Sequence, residues 1–227
     1  MPGAFTPRGA RDDGCAPPPS GRRRLPVSWI AFIRHGPTAW NAEGRIQGRS
    51  DTPLSPDGEA AVGAWHLPPE VDQARWYVSP LLRARRTAAL LGHDDALVEP
   101  CLIEADWGVW EGERLGDLRA RLGAELGENE ARGLDFRPPG GESPRDLQRR
   151  VAPFLRRLAA AGGPAVAVTH KGIIRAVYAL ASGWDMRGGP SVKLKDQHAH
   201  LFTLAPDGAP QIGRLNLPLT AEAARDA

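Results

Sequence analysis

Residues 27–37 read VSWIAFIRHGP, and this stretch decides the fold. Residues 27–33 form a short run rich in β-branched and aromatic side chains, which is typical of a core strand. The run ends abruptly at residues 34–37, RHGP, where Gly and Pro force the chain into a loop. The stretch therefore predicts a buried strand with an arginine and a histidine directly beyond its end.

Further strands and helices alternate along the rest of the chain. Strands are predicted at residues 76–78 and 165–168, and a hairpin at 201–204 and 211–215. Helices are predicted to start at the N-cap Ser55 and to cover about residues 83–91, 115–126, 143–161 and 171–182. Because strands and helices alternate, we expect an α/β fold, a three-layer α/β/α sandwich with a mainly parallel central sheet.

Polar residues follow three of the predicted strands. Arg34 and His35 follow the first strand, Ser79 follows the second, and His170 follows the strand at residues 165–168. In open α/β sheets, ligands bind beyond the carboxyl ends of the strands. We therefore expect these side chains to meet at one edge of the sheet.

The composition is that of one ordinary globular domain. The chain has 227 residues, of which 41% are hydrophobic and 25% are charged. It has no apolar run of about 20 residues, so no membrane-spanning helix is expected. Its two cysteines, Cys15 and Cys101, predict no structural disulfide and favour a cytoplasmic location. We assign residues 27–220 to the single domain.

Residues 1–26 differ from the rest because they are rich in Pro, Gly and Arg and have almost nothing to bury. They are predicted to be a disordered Arg/Pro-rich leader or an over-long start site, without a signal-peptide core. Their net charge is +3 in a chain whose net charge is +2, so the remainder is nearly neutral. A nearly neutral body argues against a nucleic-acid groove.

Five side chains together suit phosphate-ester chemistry, although each alone has a simpler explanation as a solvated or hydrogen-bonded residue. The oxygens of a phosphate monoester need donors, and Arg34 and Arg83 offer planar, bidentate forks. The neutral imidazole of His35 is a competent nucleophile that needs no metal. A protonated His170 can donate to a phosphoryl oxygen in the transition state. Glu104 can protonate the leaving alkoxide if the tryptophans that follow it desolvate the carboxyl group and raise its pKa.

The sequence also resembles a known family. Residues 34–41, RHGPTAWN, closely resemble the RHG-x-T-x-WN signature of the histidine phosphatase superfamily, also called the phosphoglycerate-mutase-like family. Similar segments follow in the expected order at residues 54–58, 79–84, 104–112 and 169–172. The resemblance spans about residues 27–205, and the joint pattern is far more specific than a bare RHG.

The resemblance implies the phosphoglycerate-mutase-like fold and a role for each matching residue. His35 would carry the phosphoryl group, and Glu104 would be the proton donor and then the base for the attacking water. The rest of the phosphate and substrate pocket would comprise Arg34, Arg83, His170, Asn41 and Thr38. Glu111 is the rival to Glu104, which is preferred because the acid of the family precedes the turn at residues 108–112, GVWEG. The family uses no metal or organic cofactor.

Lys171 departs from the family pattern, since the residue after the second histidine is commonly Gly. One interpretation is a side chain at a helix start that points into solvent. The other is an extra cation at the mouth of the pocket, which would favour substrates with a second anionic group.

The family contains both phosphatases and phosphoglycerate mutases, and this sequence favours a phosphatase. The mutases carry a longer segment after the acid, whereas residues 113–138 are short here. Candidate substrates include sugar phosphates, phosphoglycerate derivatives, α-ribazole phosphate and protein phosphohistidine. Nothing in the sequence chooses among them.

Two other classes of function compete with this one. A non-catalytic phosphate-binding module on the same fold would be expected to lose the histidine, arginine or acid that this chain keeps. A divalent-metal site of His35, His170 and Asp106 is disfavoured because neighbouring arginines oppose a dication. The expected partner is a small phosphate ester, without nucleic acid or membrane. A homodimer is also open, because Trp65 or Trp184 belongs either to the core or to an interface.

Overall fold

The central sheet is built around the strand at the start of the described chain. The computed structural model describes residues 28–71 and 73–220, and the leader predicted at 1–26 lies outside these residues. Within them the strands are β1 (Trp29–Arg34), β2 (Arg75–Val78), β3 (Leu97–Val98), β4 (Pro164–Thr169), β5 (His198–Leu204) and β6 (Pro210–Pro218). They form one sheet in the order β3-β2-β4-β1-β5-β6. The pairs among β1 to β4 are parallel, and β5 pairs antiparallel with both β1 and β6.

The connections between the strands contain most of the helices. The α-helices of the described residues are α1 (Ala39–Ala42), α2 (Pro56–Gly63), α3 (Leu82–Leu90), α4 (Leu115–Leu122), α5 (Ala124–Glu130), α6 (Pro144–Ala161) and α7 (Lys171–Ser182). Ser55 and Ser143 cap α2 and α6 by accepting hydrogen bonds from backbone N–H groups of the first turn, and Pro occupies the first helical position of both helices.

Both faces of the sheet are covered, which the alternation of side chains along β1 demonstrates. Ile30 and Phe32 pack in one core cluster with residues of α6 and α7. Ala31 and Ile33 point to the opposite face and pack in a second cluster with residues of α2 and α3. A strand buried on both faces has a continuous apolar sequence instead of an alternating one. The structure therefore confirms the predicted three-layer α/β/α sandwich with a mainly parallel sheet.

The predicted helix at residues 115–126 is wrong in one respect, because it is two helices. Gly123 separates α4 from α5 and has a φ of +49°, a conformation that residues with a Cβ rarely adopt. Leu118 and Leu126 are nevertheless buried in the same small cluster with Trp110. The spacing of apolar residues therefore continues across Gly123, so the sequence pattern does not reveal the break between α4 and α5.

The other predicted elements lie close to their observed positions. The hairpin is confirmed as β5 and β6, and it adds two antiparallel strands at one edge of the sheet. The two-residue strand β3 was not predicted, and its residues Leu97 and Val98 are exposed at the other edge. Trp65 belongs to the core, and Trp184 is partly buried against it. Among the described helices, none combines the length and the apolar character that crossing a bilayer requires.

Candidate active site

The carboxyl ends of β2, β4 and β1 lie side by side and bring the predicted residues to one edge of the sheet. The backbone N–H of His35 donates to the carbonyl oxygen of Thr169 at 2.9 Å, and that of Ser79 donates to Val168 at 3.0 Å. A cavity of about 820 Å³ opens beside them. Six of the predicted residues line this cavity: Arg34, His35, Asn41, Arg83, Glu104 and Lys171.

His35 is held with one nitrogen ready to act as a nucleophile. Its Nδ1 lies 2.7 Å from the carbonyl oxygen of Gly36. Because a carbonyl oxygen only accepts, Nδ1 must carry the ring proton, and Nε2 keeps its lone pair. Burial, followed by the positive charges of Arg34 and Arg83, holds the pKa of His35 well below its ordinary value. The imidazole is therefore neutral at neutral pH.

The Arg83 guanidinium is buried, and each of its three nitrogens faces a defined partner. Its two terminal nitrogens donate to the carbonyl oxygens of Gly48, at 2.7 Å, and Ser50, at 2.8 Å. Its Nε lies 3.3 Å from Nε2 of His35. Burial lowers the pKa of Arg83 from its ordinary value, although a guanidinium stays charged at neutral pH. The loop carbonyls thus orient this cation toward the nucleophilic nitrogen.

Glu111, the rival acid, has a structural role in the loop that orients Arg83. Its carboxylate accepts hydrogen bonds from the backbone N–H of Arg49 at 2.7 Å and of Ser50 at 2.9 Å. It also accepts from the Ser50 hydroxyl at 2.7 Å. These donors occupy both oxygens of Glu111, whereas Glu104 lines the cavity. The geometry therefore favours Glu104 as the acid.

Glu104 is a buried carboxyl group whose environment raises its pKa. Its oxygens accept from the backbone N–H of Ala105 at 2.8 Å and of Gly172 at 3.2 Å. Burial outweighs these hydrogen bonds and raises the pKa of Glu104, in the direction expected from the sequence. A Cβ on residue 172 would overlap Oε1 of Glu104, so a larger residue there would displace the carboxyl group from this position. Trp107 and Trp110 line the same cavity.

His170 lies directly beside His35 but is fully buried. The two ring centroids are 5.2 Å apart. Nε2 of His170 lies 2.6 Å from the Ser79 hydroxyl, and Nδ1 has no hydrogen-bond partner among the described residues. Burial, followed by His35 and Arg83, holds the pKa of His170 well below its ordinary value. Burial therefore disfavours the protonated ring before a phosphoryl group binds, and the donor role of a protonated His170 stays a prediction.

Arg34 and Lys171 share one carboxylate that no pattern in the sequence singles out. Asp196 lies 2.7 Å from a terminal nitrogen of Arg34 and 3.5 Å from Nζ of Lys171. It belongs to the irregular segment before β5, which carries no periodicity and no motif. Lys171 is half exposed and lines the cavity, as the interpretation of a cation at its mouth requires.

Thr38 and Asn41 form a unit at the start of α1. The backbone N–H and the hydroxyl of Thr38 both donate to Oδ1 of Asn41 at 3.0 Å, and the backbone N–H of Asn41 donates to the Thr38 hydroxyl at 3.2 Å. Thr38 is buried, and its hydroxyl is used in this cap instead of pointing to the cavity. Thr38 is not among the residues that line the cavity, so its predicted place near the phosphate stays a prediction, whereas Asn41 lines the cavity.

The alternative metal site is not formed. Asp106 accepts from the backbone N–H of Gly108 at 2.8 Å and lies 3.5 Å from Arg49. Across residues 28–71 and 73–220, no three His, Cys, Asp or Glu side chains come together as metal ligands, so Asp106 does not join the two histidines.

Residues 30–218 match the model of the histidine phosphatase superfamily (branch 1), and the chain belongs to this superfamily. The fold and the cluster of two histidines, two arginines and a buried carboxyl group at one sheet edge agree with that assignment.

Relatives in this superfamily carry both kinds of activity in their names. The chain is 30% identical over 205 residues to a 2,3-bisphosphoglycerate-dependent phosphoglycerate mutase of Methylobacterium radiotolerans, covering 84% of this chain and 91% of that protein. It is 34% identical over 167 residues to a metal-independent phosphoserine phosphatase of Arabidopsis thaliana, covering 67% of this chain and 68% of that protein.

Solved structures show the same fold. A protein of Thermus thermophilus superposes with a TM-score of 0.65 at 34% identity, covering 83% of this chain and 99% of that one. A mycobacterial glucosyl-3-phosphoglycerate phosphatase, solved in complex with VO3, superposes with a TM-score of 0.67 at 27% identity, covering 86% of this chain and 100% of that one. The chain therefore has the phosphoglycerate-mutase-like fold predicted from its sequence.

Proposed function

We propose that this protein hydrolyses a phosphate monoester in two steps, through a phosphohistidine at His35. One observation carries the proposal: Nδ1 of His35 is fixed by the Gly36 carbonyl, and a buried guanidinium faces its Nε2 at 3.3 Å. This arrangement supplies a neutral nucleophile together with a cation placed where negative charge develops.

In the first step, the lone pair of Nε2 on His35 attacks phosphorus. The bond from phosphorus to the ester oxygen breaks, and the carboxyl proton of Glu104 passes to the leaving alkoxide. The raised pKa of Glu104 supports this role, because the acid must hold its proton when the ester arrives. Arg34, Arg83 and the amide of Asn41 are the donors available to the phosphoryl oxygens.

In the second step, Glu104 acts as a base. Its carboxylate takes a proton from water as the water oxygen attacks phosphorus. The bond from phosphorus to Nε2 breaks, the electron pair returns to His35, and phosphate is released. The same carboxyl group serves as acid and then as base, so each turnover restores both groups.

His170 contributes a hydrogen bond, which its unpartnered Nδ1 is free to make. A dianionic phosphoryl group beside the ring would oppose the effect of the nearby arginines and raise the pKa of His170. Proton uptake on substrate binding would then convert the neutral ring into the donor that the mechanism calls for.

Hydrolysis is favoured over phosphoryl transfer between two positions of phosphoglycerate. The segment after the acid is short and folds as α4 and α5, and the expectation that a mutase carries a longer segment there supports hydrolysis. The similarity to a phosphoglycerate mutase of Methylobacterium radiotolerans makes transfer the second candidate. With 3-phosphoglycerate as substrate, ³¹P NMR separates the two, since a hydrolase yields inorganic phosphate and a mutase yields 2-phosphoglycerate.

We further propose that the reaction needs no metal and takes place in the reducing cytoplasm. The first point rests on the cations that already surround the phosphate position, and hydrolysis is expected to continue in excess chelator. The second rests on the free thiol of Cys101.

Rapid quenching tests the central proposal. Mixing the protein with a ³²P-labelled monoester and quenching within milliseconds should trap a phosphoryl group that is labile in acid and stable in alkali, and peptide mapping should place it on His35. The variant His35→Ala should neither trap the label nor turn over. Wild-type turnover by His35→Ala would rule the mechanism out.

A further inference from the structure

Arg175 differs from the other basic side chains that line the cavity because no carboxylate or carbonyl group of the described residues is paired with it. Six such side chains line it in the described part of the chain, and five have a carboxylate or carbonyl partner. Arg34 and Lys171 pair with Asp196, Arg45 with Glu43, Arg119 with Glu130, and Arg83 with two loop carbonyls. For the Arg175 side chain, residues 28–71 and 73–220 provide neither an ion pair nor a hydrogen bond.

Arg175 is nevertheless held in a defined place. Its guanidinium carbon lies 5.0 Å from the centroid of the Trp184 ring, a distance at which cation and indole attract each other. The residue is only partly exposed, and burial lowers the pKa of Arg175 from its ordinary value. A partly desolvated cation without a counter-ion is costly, so its position in a cavity suggests that an anion from outside the chain completes it.

The carboxylates of the cavity do not fill this role. Glu104 accepts from two backbone N–H groups, and Glu130 pairs with Arg119 at 3.3 Å. Glu142 lies 2.9 Å from Arg49 and 3.0 Å from Arg150. Each of these carboxylates therefore has its own partners, and none of them is paired with Arg175.

The position of Arg175 on α7 relates it to the phosphate pocket. His170 occupies the N-cap position of this helix without a capping hydrogen bond from its side chain, and Lys171 is the first helical residue. Lys171 and Arg175 are four residues apart, so their side chains share one face of the helix about one turn from each other. A ligand whose phosphoryl group lies between His35 and His170 would reach Arg175 with a second group about one helical turn away.

We propose that Arg175 binds a second anionic group, a carboxylate or a second phosphate, on the substrate whose phosphoryl group is transferred to His35. The planar fork of the guanidinium suits either group, and Lys171 lies between the two anion positions. This inference rests on the proposed function for its orientation, since it takes the phosphate to bind beside His35. It adds the substrate class, a phosphate monoester with a second negative charge.

Binding measurements without turnover test the proposal. Calorimetry on a His35→Ala background compares three probes: glycerol 3-phosphate, 3-phosphoglycerate, and propane-1,3-diol bisphosphate. The first two differ by a hydroxymethyl group in place of a carboxylate, and the third carries a second phosphate. We expect 3-phosphoglycerate, propane-1,3-diol bisphosphate or both to bind about tenfold or more tightly than glycerol 3-phosphate. Arg175→Met should abolish that preference. The probe that gains affinity identifies the second group.

A matched control removes the same charge nearby. Arg187 lies in the segment after α7, pairs with Asp185 and is mostly exposed, so Arg187→Met should leave the preference intact. Arg175→Lys keeps the positive charge but loses the planar fork, so this variant should retain only part of the preference for a second anionic group. Equal affinity for all three probes, or an equal loss for all three in Arg175→Met, would overturn the inference. Because these titrations need no phosphoryl transfer, a failure to trap phosphohistidine in the wild-type protein would count against the proposed function alone.

Discussion

Arg83 directs its Nε–H at Nε2 of His35 across 3.3 Å, while its other nitrogens donate to the carbonyl oxygens of Gly48 and Ser50. The guanidinium therefore has a fixed plane and a fixed target. Its charge disfavours protonation of His35, and it lies where the oxygens of a transferred phosphoryl group would need a donor. This one contact thus helps to keep the nucleophile neutral and places a donor where negative charge develops in the reaction.

The first prediction concerns the geometry of this cation. Arg83→Lys keeps a positive charge, but its single nitrogen cannot occupy the three positions from which the guanidinium nitrogens face Gly48, Ser50 and His35. We expect kcat/KM for a phosphate monoester to fall by about 10²–10³-fold, a loss typical of one preorganised donor. Steady-state kinetics measure the loss, and circular dichroism checks that the fold is intact. A variant within about twofold of the wild type would show that charge alone is sufficient.

The second prediction is a shift in the pH profile. His35 attacks as the neutral ring, and its pKa is held well below the ordinary value by burial, then by Arg34 and Arg83. The acidic limb of kcat/KM contributed by the enzyme should therefore lie below about pH 6.5, the ordinary value of histidine. Replacing Arg34 with Gln removes one of the charges that oppose protonation, so the limb should move to higher pH.

The substrate also titrates near this range, but its contribution is the same for both proteins. The difference between the wild type and Arg34→Gln therefore reports the enzyme. An acidic limb that stays in place in Arg34→Gln, or moves to lower pH, would contradict the assignment of His35 as the group that must be neutral.

The third prediction separates Glu104 from Glu111 by the leaving group. p-Nitrophenolate leaves without protonation, whereas an alkoxide needs an acid. Glu104→Gln should therefore slow phosphohistidine formation from an alkyl phosphate by about 10²-fold or more and have a much smaller effect with p-nitrophenyl phosphate. Glu111→Gln should slow both substrates alike, by about tenfold, because its amide replaces an acceptor of the loop that orients Arg83.

Single-turnover rates from rapid quenching provide the comparison, since they exclude the second step. If Glu111→Gln showed the dependence on leaving group and Glu104→Gln did not, the two roles would have to be exchanged.

The part of the site that could be predicted from sequence is the part fixed by local structure. Arg34, His35 and His170 lie at or immediately after strand ends, and Arg83 lies in the first turn of a helix that follows another strand, so the pattern of elements brings them together. Glu104 was preferred on the order of a motif, and the loop contacts of Glu111 supply the physical reason for that choice.

The part that could not be predicted depends on contacts between distant segments and on burial. Asp196 lies in an irregular stretch, and its pairing with Arg34 exists only after β5 has placed that stretch beside β1. The lowered pKa of His170 follows from its complete burial, which no local pattern reports. Thr38 matches the motif, but its hydroxyl donates to Oδ1 of Asn41 in the cap of α1.

The fourth prediction is that acid destabilises the fold through buried histidines, and His200 is the clearest case. Burial lowers the pKa of His200 to about 4, and its Nδ1 accepts from the backbone N–H of Asn216 at 3.3 Å. Between about pH 6.5 and pH 4, the unfolded chain binds a proton at this residue and the folded chain does not. The free energy of unfolding should therefore fall by about 1.4 kcal/mol per pH unit for this group as the pH decreases through that window.

Replacing His200 with Gln removes the titration while keeping an acceptor for Asn216, so the variant should lose less stability between pH 7 and pH 5 than the wild type. Urea unfolding at the two pH values measures the difference. His35 and His170 contribute in the same direction, since burial also lowers their pKa values. The free energy of unfolding of the His200→Gln variant should therefore still rise with pH. An unchanged pH dependence of the unfolding free energy in His200→Gln would show that this ring titrates in the folded protein as it does in the unfolded chain.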